Sequence, residues 1–201
     1  NPFVTNKERL FDELLNNFFN PKEITEFSEK FSSNSAEKIK LSSRVSPTNK
    51  SQIQLDLNDE ATFRNNVDIL ITFASSKLDK HKFLELLLTL GQLSITAGEF
   101  LLAVEIHGKI LSTTKKNSQF VDISANAYLA LGELYSRQAQ WSDSKSNIKK
   151  ADDIFKKLND LNGRSRCANL LGTIYGDFGN MKRAKEQFEK REAHLLEKIE
   201  E

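Results

Sequence analysis

One cysteine in 201 residues cannot close an intramolecular disulfide, and Cys167 standing alone points to a reducing, cytoplasmic setting. Three prolines and eight glycines are too few for an all-β chain built on tight turns. No apolar run approaches the roughly 18–20 residues that cross a bilayer. The longest candidate, residues 83–96, is interrupted by Glu85, Thr89 and Gln92, so membrane insertion is not expected. Neither sign of charge dominates, with 29 Lys and Arg against 28 Asp and Glu, which removes the electrostatic case for nucleic acid. The first residues carry no signal-peptide pattern. A start at Asn1, with Met181 the only methionine, predicts a piece of something longer.

What is present is helical periodicity. Leu10, Phe11, Leu14, Leu15, Phe18 and Phe19 form an apolar stripe over residues 6–19. Asn20-Pro21-x-Glu23 then predicts a new helix, with Asn20 as cap, Pro21 in the first turn and Glu23 reaching back. Ile24, Phe27 and Phe31 give that helix its apolar face. Residues 1–33 therefore read as a helical N-terminal extension. Residues 34–58, rich in Ser, Asn and Lys with apolar residues only singly, read as a flexible linker. Helix returns over 60–78, with Asn58 or Asp59 as its cap and no evident partner, and reads as a capping helix for the remainder of the chain.

From there to the end the chain repeats itself. Leu131-Gly132-x-x-Tyr135 recurs as Leu171-Gly172-x-x-Tyr175, with the glycines 40 residues apart (172 − 132). A fainter copy has Leu90-Gly91, Gly98, Phe100 and Ala103. A fixed period in this range signals stacked helical repeats. The expected helix pairs are 82–97 with 100–116, 119–138 with 141–158, and 164–178 with 181–199, with Leu161-Asn162-Gly163-Arg164 falling between the last two units. They make repeats of about 82–117, 119–159 and 163–199 within a domain of residues 59–201. The fold class is all-α, an α-solenoid of antiparallel helix pairs. Gly132 and Gly172 are expected where the two helices of a pair approach most closely.

These motifs resemble tetratricopeptide repeats, of the long 40-residue type found in kinesin light chains and cell-polarity adaptors. The turn positions are Gly98-Glu99-Phe100, Ala139-Gln140-Trp141 and Gly179-Asn180-Met181. The small second-helix position falls on Ala103, Ser144 and Ala184, and the bulky one on His107, Ile148 and Phe188. Departures occur at the end repeats: Ser94 stands where the tyrosine belongs, and Arg191 where a late alanine belongs.

No catalytic constellation emerges. Cys167 has no histidine nearby in sequence to activate it and reads as a small core residue. His81, His107 and His194 are too scattered to bind metal, and His107 reads as a satisfied buried histidine. No glycine pattern fits a phosphate loop, so neither cofactor nor metal is expected. Asn49-Lys50-Ser51 is a sequon by chance. What remains is a surface for a protein or peptide partner. The resemblance implies a concave groove lined by Glu85, Leu88, Gln92 and Ile95, then Asn126, Leu129, Glu133 and Arg137, then Arg166, Asn169, Thr173 and Asp177. The carboxylate-binding pattern of the chaperone-binding subclass is missing, since Leu88, Gln92 and Ala130 hold its positions. The expected function is a non-enzymatic scaffold or adaptor. The alternatives are a regulatory part of a larger enzyme or transcription factor, and a self-associating or autoinhibited module in which the phenylalanine-rich residues 10–31 fold onto the groove or onto another copy.

Overall fold

The computed structural model describes residues 11–34, 60–115 and 117–200. Among these residues every element is helical: α1 (residues 11–18), α2 (Pro21–Asn34), α3 (Glu60–Lys77), α4 (Lys80–Ala97), α5 (Phe100–Thr114), a 3-10 turn (Ser118–Phe120), α6 (Val121–Arg137), α7 (Trp141–Lys157), α8 (Leu161–Asp177) and α9 (Met181–Glu200). The all-α expectation holds: α2, α3 and α4 pack each on the next, and so do α6, α7, α8 and α9. The linker expected over 34–58 lies outside the described residues except for Asn34, as do the sequon and the cap expected at Asn58 or Asp59. Contacts divide the chain into two compact units, Asn1–Leu102 and Ala103–Glu201, with the division inside α5.

Helix boundaries follow from local chemistry. Asn20 Oδ1 accepts from the Lys22 and Glu23 amides, while Glu23 Oε2 accepts from the Asn20 amide at 2.9 Å, a complete capping box. Asp79 caps α4 through the Lys82 amide at 3.0 Å, which holds its carboxyl below the ordinary aspartate range. Four helices end alike, on one residue of positive φ: Gly98 (84°), Ala139 (57°), Asn159 (55°) and Gly179 (69°). The following amide then reaches back to Ser94, Tyr135, Phe155 or Tyr175. This left-handed closure reverses the chain in two or three residues, and in the second unit it places α7, α8 and α9 each beside its predecessor.

In the first unit, Phe11, Leu14, Leu15 and Phe19 pack inward with Phe27 of α2 and Phe63, Val67, Leu70 and Phe73 of α3. Phe73 is the hub, its ring 5.4 Å from that of Phe19 and 5.3 Å from that of Phe27. Lys77 joins Glu26 at 2.7 Å. So α3 does have partners, α2 and α4, and the first of them lies across the stretch that reads as a linker. Periodicity within one segment could not reveal a mate so distant in sequence.

In the second unit α6 pairs with α7, α8 pairs with α9, and α7 packs on α8. The core holds Ala125, Leu129, Ile148, Ala151, Phe155, Cys167 and Ile174. A Cβ at Gly132 would stand 2.6 Å from Ile148 Cγ1, and one at Gly172 would stand 2.6 Å from Phe188 Cε1. Positions 148 and 188 are themselves one 40-residue period apart, so the close approach recurs in register. Ser144 Oγ adds a hydrogen bond to the Gly132 carbonyl at 2.7 Å.

Three expectations change. Gly163 does not lie in a link between repeats: Asp160 accepts from its amide at 2.9 Å, so α8 starts three residues earlier than the apolar pattern implies. Its missing side chain leaves room for Phe155. His107 is buried, but neither ring nitrogen has a hydrogen-bond partner, and burial pushes its pKa down to about 4. Ile95, counted with the groove from its spacing, is buried as a packing residue.

Candidate ligand-binding groove

The first-repeat candidates lie on α4, within the first compact unit. Glu85 and Gln92 are exposed and Leu88 is half-buried, with His81 Nδ1 3.5 Å from Glu85.

The second and third groups share one depression of about 590 Å³ in the second unit. Leu129 and Glu133 come from α6, and Ser165, Arg166, Asn169 and Leu170 from α8. Four of the positions expected from the repeat register, Leu129, Glu133, Arg166 and Asn169, therefore converge on one surface. Leu129 is buried and forms the floor, while Arg166 and Asn169 are exposed. Asn126 stands beside them: its Nδ2 donates to the Asp122 carbonyl at 3.0 Å, which turns Oδ1 toward Arg166. Arg166 Nη1 donates to that oxygen at 2.9 Å. The two residues are 40 apart, so this rung joins the same position of successive repeats.

Three candidates lie elsewhere. Arg137 is engaged with Glu133 at 2.8 Å, one helical turn away on α6. Thr173 turns its hydroxyl onto the Asn169 carbonyl at 3.2 Å, and Asp177 sits exposed in the last turn of α8.

Two lining residues come from α9, where the register predicts packing only: Arg191 and Leu195. Arg191 Nη1 donates to Asn169 Oδ1 at 3.0 Å, and its guanidinium lies 5.6 Å from the centre of the Phe188 ring. One period earlier the same positions are Ala151 and Phe155, both fully buried. The signal in the sequence was Arg191 itself, a long cation where the repeat asks for alanine.

Cys167 lies away from this surface, in the core, with its thiol pushed up to about 12 by burial. Among the described residues no helix is long and apolar enough to cross a membrane, and no group of three or more His, Cys, Asp or Glu is placed to hold a metal ion. The chain matches no protein family, no curated protein and no solved structure.

Proposed function

We propose that this chain is a non-catalytic interaction module, a scaffold or adaptor of tetratricopeptide type working in the cytoplasm, which holds a peptide or protein partner against α6 and α8. The observation that carries this reading is the convergence of Leu129, Glu133, Arg166 and Asn169 on one groove of about 590 Å³. An apolar floor with amides and a guanidinium along its edge suits a peptide: the leucine takes a side chain while the amides meet backbone groups. Both helices are fixed by core packing beneath, so the edge residues are presented on a rigid support.

The test is selection from a random 12-residue peptide library displayed on phage, using the full chain as bait. Enriched peptides are expected to bind the wild-type chain at least about tenfold more tightly than an Asn126/Arg166/Asn169 triple-alanine variant, the size of a modest binding hot spot. None of the three is a core residue, and circular dichroism checks that the variant is folded. Equal binding to both proteins, or no enrichment, overturns the proposal.

A further inference from the structure

We propose that the groove selects an acidic segment, one that sets a carboxylate against Arg166 and Arg191 and an apolar side chain against Leu129, Leu170 and Leu195. This rests on the reading of the groove as a peptide site and adds the chemistry of its ligand.

The two arginines are set apart by the way they are held. Other cations of the second unit meet carboxylates, among them Arg137 with Glu133 at 2.8 Å, Lys149 with Asp153 at 2.7 Å and Arg164 with Asp152 at 3.3 Å, while Lys145, Lys150 and Arg183 lie over aromatic rings. Arg166 and Arg191 instead donate to the neutral side-chain oxygens of Asn126 and Asn169. An amide fixes a guanidinium in place through one of its five donors and leaves the charge uncompensated. Among the described residues Arg166 has no carboxylate within ion-pair reach. Arg191 has only its chain neighbour Glu192, at 3.7 Å and largely exposed. Glu133 also lines the groove, but its charge is met by Arg137. Two oriented guanidinium groups, Arg166 without a carboxylate and Arg191 with only a long, exposed pair to its neighbour, therefore face one depression, and a planar carboxylate is the group they fit bidentately.

Arg191 carries a second mark. Its Nε is buried without a hydrogen-bond partner, an arrangement that costs free energy while it stands. A ligand carboxylate that draws the guanidinium outward relieves it. The apolar half of the ligand follows from Leu129 as floor, half-buried Leu170 and the exposed Leu195.

The experiment scores the composition of the library peptides and then measures one enriched peptide, fluorescein-labelled, by anisotropy at 50 and 200 mM NaCl. Asp or Glu beside Leu, Ile or Phe is expected to be enriched on the wild-type chain. Arg166→Gln and Arg191→Gln are each expected to weaken binding by about tenfold and to flatten its salt dependence. Arg166→Lys, which keeps the charge and loses the fork, should fall between. Arg166 is exposed, so its variants report even if Arg191→Gln disturbs the packing on Phe188. Groove-dependent peptides without acidic residues, or arginine variants within twofold of wild type, overturn the acidic preference and leave the peptide groove standing. Peptides that ignore the triple-alanine change, or no peptides at all, overturn both.

Discussion

Gly163→Ala tests the packing of α7 on α8 at its tightest point. A Cβ there would lie 2.6 Å from Phe155 Cε1 and nearer still to Cγ and Cδ1, whereas relaxed carbon contacts are about 3.5–4.0 Å. Phe155 is fully buried in the second unit's core, so its ring has no solvent to swing into. Overpacking of this kind costs about 1–3 kcal/mol, and the better helix propensity of alanine returns about 1 kcal/mol. The difference spans about 0–2 kcal/mol, and because the enclosed Phe155 ring cannot yield we expect its upper half, a net loss of about 1–2 kcal/mol or a Tm lower by roughly 2–8 °C for a chain of this size. Gly172→Ala is the internal control. Its Cβ meets the Phe188 ring at 2.6–2.9 Å, but Phe188 is half-buried and can yield, so its cost should stay within about 1 kcal/mol. Urea unfolding followed by fluorescence of Trp141, the only tryptophan, reads the second unit directly. In a Phe155→Leu background the Gly163→Ala change should become neutral or stabilising, the coupling expected of residues in contact. A Gly163→Ala protein as stable as wild type, or less affected than Gly172→Ala, would refute the reasoning.

Two further outcomes are expected. Ala139→Gly should raise stability by about 0.5–1 kcal/mol, because Ala139 holds a φ of 57° where Gly98 and Gly179 sit at the matching turns; unchanged urea midpoints would count against a strained turn. His107, with its folded pKa near 4 against about 6.5 unfolded, takes up a proton more readily in the unfolded chain. Its contribution is therefore intact above pH 6.5 and lost as pH falls toward 4, by on the order of 3 kcal/mol. His107→Leu should remove most of the Tm difference between pH 7.5 and pH 5, and an unaltered difference would assign that loss to other groups.

The helices and their 40-residue register were legible because packing repeats: Gly132 must be small for Ile148, and Gly172 for Phe188. Counting from those glycines also put Leu129, Glu133, Arg166 and Asn169 on one face, and the four line one depression. The same counting failed where a residue departs from the repeat. Arg191 and Leu195 occupy positions that are core in the preceding pair, and only the structure shows them turned to the groove. Gly163 looked like a link because glycine usually ends helices, and its close approach to Phe155 is a fact of three dimensions. The partners of α3 were hidden for another reason, since Phe19 and Phe27 lie far from Phe73 along the chain. Arg137 and Thr173 have the right spacing, but local bonds to Glu133 and to the Asn169 carbonyl hold them away from the lining.

Helix α9 packs on α8 and leaves Leu195, Leu196 and Ile199 exposed. Its amides should therefore exchange with solvent sooner than those of α6 or α8, since local opening follows the amount of surface a helix buries. Arg191 sits on this less protected helix, while the other arginine of the groove stands on the more firmly held α8. A ligand that bridges the two would tie the loose helix to the firm one. Slowed deuterium uptake along α9, some distance beyond the residues touched, would then register occupancy of the groove.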